Sequence, residues 1–177
     1  MSFSPRLNLP SLKKKGLIKL WAGLSLPFFY PVAAVVEGQP MKPHSSPDTA
    51  ATYDAVQKMQ AAVGGEGAKV FGLALQIAYD DSALGVLAGY HFANNTEQRL
   101  DGMPIGVLTG VGEALLSNYQ GTVTAGHQLA IGPSGLLVDS SLFGTGSTDK
   151  VPVWADSGGT SPDYIRIRFG FTPAVSG

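Results

Sequence analysis

Side chains alternate with a period of two in two separate stretches of the chain. In Val70–Tyr79, Phe71, Leu73, Leu75, Ile77 and Tyr79 fall on one side, and Val70, Gly72, Ala74, Gln76 and Ala78 on the other. That is the pattern of a strand whose second face, small and nearly uncharged, lies close against another layer. Asp163–Phe171 repeats it, with Ile165, Ile167, Phe169 and Phe171 opposite Tyr164, Arg166 and Arg168. Leu84–Phe92 and Val151–Ala155 add two further strands. Between them, Gly106–Val138 is cut into the short apolar runs Gly106–Thr109, Glu113–Leu116, Thr122–Thr124, Leu129–Ile131 and Leu136–Val138. The breaks at Gly110 and Gly112, Ser117–Gly121, Ala125–Gly126 and Gly132–Gly135 carry turn-forming residues. Runs of this length are too short for helices, and the spacing predicts a mainly β fold, a small antiparallel barrel or sandwich.

One segment breaks the two-residue period. Ser46 can cap a helix, Pro47 suits its first position and Asp48 complements the positive end of its dipole. Ala55, Val56, Met59, Ala62 and Val63 share one helical face before Gly64–Gly65. The spacing predicts one N-terminal helix over 47–63.

Ahead of it, seven of the twelve prolines lie within the first 47 residues. Proline removes a backbone donor and resists both helix and central strand, which predicts a long extended arm over 1–45 and a β-rich body over 46–177 that folds without it. Yet the arm contains Leu17, Ile18, Leu20, Trp21, Leu24, Phe28, Phe29 and Tyr30. Leaving such residues in water forfeits roughly 1.5–3 kcal/mol each. Three readings fit: a leader with the basic run Lys13–Lys15, a membrane element over 17–36, and an arm that docks on a partner. Lys19, Pro27 and Pro31 fit a span poorly, and the docking arm is the expectation. Lys13, Lys14, Lys15, Trp21, Phe28, Phe29 and Tyr30 would then make its contacts.

Composition narrows the function classes. Charged residues are 14% of the 177, and the 23 glycines are roughly twice the usual share. The absence of cysteine excludes disulfides and thiolate chemistry. The net charge of −1 conceals an asymmetry: residues 1–45 hold six basic groups and one acid, the remainder six basic groups and twelve acids. A basic arm on an acidic body suits a negative partner surface, a copy of the same chain included.

Candidate chemistry is sparse. His44, His91 and His127 lack metal-ligand spacing. Asp80–Asp81 lacks the glycine and distal glutamate of a calcium loop. Gly132–Gly135 has neither the lysine nor the following helix of a phosphate loop, and Ser134 stands in no nucleophile elbow. Thr124–Leu137 has the outline of a carrier hairpin, but no lysine lies between Lys69 and Lys150 to be modified. No catalytic residue, metal site or cofactor is therefore assigned. Tyr164, Arg166 and Arg168 are too few for nucleic acid on an acidic body and suggest a subunit contact.

The segments DGMPIGVLTG (Asp101–Gly110) and GTVTAGHQLAIGPSGLL (Gly121–Leu137) resemble the decoration, or cement, proteins of tailed-bacteriophage capsids. The resemblance extends over about Val70 to Phe171 and lies in turns and strands. It implies a virion protein on the outer capsid surface, without an active site, that locks neighbouring major capsid subunits. Its partners would be the major capsid protein and other copies of itself, as a trimer or dimer, with neither nucleic acid nor membrane. The rival expectation is an envelope-associated or secreted binding module that uses 17–36 as its membrane element.

Overall fold

The computed structural model describes residues 16–31, 34–44, 58–75, 77–79, 98–100 and 105–171. The chain is mainly β, with its sheet curled into a half-barrel. The strands are β1 (Leu17–Pro31), β2 (Pro40–Pro43), β3 (Lys58–Ala61), β4 (Gly72–Ala74), β5 (Ile77–Tyr79), β6 (Gln98–Leu100), β7 (Ile105–Leu116), β8 (Thr122–Val123), β9 (Gln128–Ile131), β10 (Leu137–Asp139), β11 (Lys150–Ala155), β12 (Gly159–Thr160) and β13 (Ile165–Gly170). Nine of them form one sheet in the order β1-β3-β2-β4-β7-β13-β11-β9-β10, and β1 also pairs with β7. The pairings β1-β3-β2-β4-β7 thus return on themselves. β8 pairs with β12, and β5 with β6.

β7 organises this arrangement, and it does so through a glycine. The sequence suggests a turn at Gly110–Gly112, but the chain runs through as one twelve-residue strand. Gly110 has φ +74°, a value open to glycine at little cost. Opposite it, Ala22 pairs with Gly112 and Leu24 with Thr109, so β7 holds one extra residue there. Such a bulge bends a strand and increases its twist. The first half of β7 accordingly pairs with β4 and the second with β13, while β1 follows both along the other edge.

The core divides the same way. Val35, Met41, Met59, Ala74, Ile105 and Val107 pack together within the ring of five strands. The larger cluster runs from Leu17 and Leu73 through Leu116, Leu129 and Leu137 to Ile165, Ile167 and Phe169. Gly72 lies so close to its sheet partner β7 that an added Cβ would come within 2.5 Å of the Leu108 carbonyl oxygen.

Two expectations are corrected. Lys58–Ala61 is not the end of a helix but a strand, held between β1 and β2 with Met59 and Ala62 buried. Pairing on both sides outweighs the weak helical preference of a short stretch. The rest of the expected helix, 47–57, lies outside the described residues. The division at residue 45 also fails, because β1 and β2 are members of the sheet. Their prolines are accommodated at particular places. Pro31 ends β1, and Pro40 and Pro43 begin and end β2. Pro27 falls where β1 carries an extra residue, between the pairs Leu26–Val107 and Phe29–Ile105. Strand ends and bulges are where a sheet tolerates a residue without an N–H. Leu84–Phe92 lies outside the described residues.

Candidate functional site

Along β13, Ile165, Ile167 and Phe169 are buried while Arg166 and Arg168 are exposed, as the alternation suggested. β11 buries Val151, Val153 and Ala155 and turns Trp154 outward. On β7, Ala114 and Leu116 face the core and Val111 and Glu113 the other side. An extra residue in β1 between Lys19 and Trp21 brings Trp21 opposite Glu113. The registers then line up one row across four adjacent strands. Trp21 pairs with Glu113, Glu113 with Arg168, and Arg168 with Trp154.

This row forms the floor and walls of an open groove of about 450 Å³, lined by Trp21, Val111, Glu113, Trp154, Arg168 and the backbone around Gly112 and Gly170. Its apolar residues are unusually open: Trp21 is 56%, Val111 70% and Trp154 39% exposed. The charged groups are neutralised in pairs. Arg166 donates from Nε to Oε2 of Glu113 at 2.7 Å and from Nη2 to the same oxygen. Arg168 donates from Nε to Oδ1 of Asp156 at 2.6 Å. The Arg166 bond, with further help from Trp21, holds the Glu113 carboxyl below its ordinary range against the opposing effect of burial.

A second polar cluster lies at the β9–β10 end. Asp139 is buried and accepts from the Thr124 and Ser141 backbone N–H groups, each at 2.8 Å, and it meets His127 Nδ1 at 2.9 Å. Burial alone would push its carboxyl up, but these donors together hold it well below the usual aspartate range. The pair looks like the base and orienting acid of a catalytic triad, but among the described residues no hydroxyl bonds His127. Its evident work is to tie the Thr124 turn to the 3₁₀ turn Ser140–Leu142. Among the described residues no group of three or more His, Asp or Glu side chains is placed to hold a metal ion. His91 and Asp80–Asp81 lie outside them.

Of the residues singled out in the sequence, the fold brings Trp21, Arg166 and Arg168 onto one face, although Trp21 belongs to the expected arm and the arginines to the expected body. Tyr164 is half-buried just before β13. Phe28, Phe29 and Tyr30 belong to β1, with Phe29 opposite Ile105 and Tyr30 opposite Lys58, and their side chains lie outside the description. Lys13–Lys15 also lie outside it. Sequence reasoning missed Glu113 and Trp154. Trp154 was legible in principle, as an indole at the outward position of a strand whose inward positions are valine and alanine. No protein-family model matches the chain, and no curated protein matches it.

Proposed function

We propose that the protein is a non-enzymatic virion component that binds the outer surface of a tailed-phage capsid and cements neighbouring major capsid subunits, acting with other copies of itself. The strand and turn pattern of Asp101–Leu137 supports this reading. The observation that carries it is how the basic segment joins the body. Gly16 is buried where an added Cβ would come within 2.8 Å of Glu37 Cβ and 3.0 Å of Asn118 Cβ, and its N–H bonds the Glu37 carboxylate. The fifteen residues before it contain Arg6, Lys13, Lys14 and Lys15 and no acid. The eight basic and thirteen acidic groups that follow leave the rest at −5. A segment of net charge +4 in the sequence thus precedes a fixed point, Gly16, of an anionic body, a charge division suited to an acidic shell.

Regarding the rival membrane element, Leu17–Pro31 is a sheet strand paired with β7, and no helix among the described residues is long and apolar enough to cross a membrane. The test is occupancy on decoration-free capsids, read by gel densitometry after pelleting. Replacing Lys13, Lys14 and Lys15 together by Ala should lower occupancy at low salt, and the difference should shrink as salt screens it. Equal occupancy of the two proteins at every salt concentration would refute this role of the basic segment.

A further inference from the structure

We infer that the groove between Trp21 and Trp154 is a binding site for a neutral saccharide. Its volume, about 450 Å³, is in the range of sites that take one small-molecule ligand. The two indoles stand three strand spacings apart, about 14 Å of sheet, with Glu113 and Arg168 between them in register. Indole faces present apolar surface to the C–H face of a sugar ring, and the carboxylate and guanidinium offer acceptors and donors to its hydroxyls. Arg168 spends Nε on Asp156, and among the described residues its two Nη groups make no hydrogen bond. Gly170, where an added Cβ would meet nothing within 4 Å, leaves room at one end of the row.

The remaining chemistry excludes other occupants. The row's charges are balanced by Arg166 and Asp156, so a cationic or anionic ligand gains little from long-range attraction. An extended peptide adds to a free strand edge. The groove floor offers none, because β7 and β13 are paired on both sides there. β1, whose described pairing at Trp21 is with β7 alone, has its outer edge at the rim and not across the floor. A lipid surface would have to strip water from Arg168 and Glu113, which is costly. A neutral, hydroxyl-rich ring meets both the apolar walls and the polar floor.

The test uses the full-length protein free in solution and does not depend on the capsid reading, so the two can fail separately. Calorimetric and tryptophan-fluorescence titrations would use neutral hexasaccharides of glucose, galactose, mannose and N-acetylglucosamine. Choline, a proline-rich peptide and phosphatidylcholine vesicles would be the comparison probes. At least one hexasaccharide should bind saturably, and Trp21→Ala and Trp154→Ala should each weaken it about tenfold or more. Trp21→Phe should restore part of the loss. Trp21 is more exposed than buried and Trp154 is partly buried, so a melting curve recorded for each variant separates lost binding from lost folding, and the Trp21 variant should keep its transition nearly in place. The assignment is overturned if no hexasaccharide binds up to about 10 mM, if binding survives both alanine substitutions, or if only a comparison probe binds.

Discussion

Removing residues 1–45 should unfold the protein, although the sequence alone suggests a dispensable arm. The deletion takes away β1 and β2. It strips β7 of one partner along its whole length and leaves β3 and β4 without the strand that joins them. It also removes Leu17, Val35 and Met41, at 3%, 2% and 0% exposure. Full burial of such side chains contributes roughly 1.5–3 kcal/mol each, so these three alone amount to about 5–9 kcal/mol. A domain's entire stability is about 5–15 kcal/mol. The lost burial is of the same order as the whole, before the lost pairing is counted. A chain beginning at Ser46 should show no cooperative urea transition, weak near-ultraviolet dichroism and dye binding to exposed apolar surface. Met41→Ala in the full chain gives the graded form of the experiment and should cost about 2–5 kcal/mol. A cooperative unfolding transition in the shortened chain, with a slope proportionate to its length, would refute the reasoning and restore the arm as a separate unit.

Gly67→Ala should be strongly destabilising, because its Cβ would fall 2.1 Å from the Lys150 carbonyl oxygen and 2.7 Å from backbone atoms of Asp149. Gly144→Ala, with nothing within 4 Å, should leave the urea midpoint nearly unchanged. Tyr119→Phe should keep or raise stability by up to about 2 kcal/mol in thermal unfolding, since its buried hydroxyl has no hydrogen-bond partner among the described residues. A clear loss would reveal a bond to that hydroxyl. Asp139, with its carboxyl held low in the fold, should contribute stability that is fully present above the ordinary aspartate value of about 3.9 and lost as pH falls below it. Asp139→Asn should therefore be less stable at neutral pH and show a shallower acid limb; equal slopes from pH 6 to 2 would contradict this.

The legible parts of the sequence were those whose burial is decided within one strand. β11 and β13 have one covered face and one open face, so Val151, Val153, Ile165 and Ile167 announce themselves by alternation alone. The turns at Gly121, Gly126 and Gly135 were visible because each has positive φ, which glycine adopts most readily. What stayed hidden depends on partners distant in the chain. Lys58–Ala61, where Met59 and Ala61 alternate with the polar Lys58 and Gln60, suits the end of a helix and a doubly paired strand about equally, and only β1 and β2 decide between them. The prolines misled for a related reason. Their density argues against regular structure, whereas Pro31, Pro40 and Pro43 mark the limits of strands and Pro27 occupies a bulge.

The same limit applied to the groove. Arg166 and Arg168 could be placed on one open face from sequence, but nothing local says that Trp21 and Trp154 stand at two ends of one row. That fact belongs to the registers of β1, β7, β13 and β11, and ultimately to the bulges that aim Trp21 and bend β7. It also bears on how the row would act. Its inner members, Glu113 and Arg168, stand on strands paired on both sides, and both are tied to charged neighbours. The two indoles turn about only two side-chain bonds each. A surface ordered in advance loses little conformational freedom when it is covered, so more of the contact energy appears as affinity. Glu113→Gln, which weakens the bonds to Arg166 and Trp21 and the acceptor offered to a sugar hydroxyl, should therefore reduce saccharide affinity with both indoles still present.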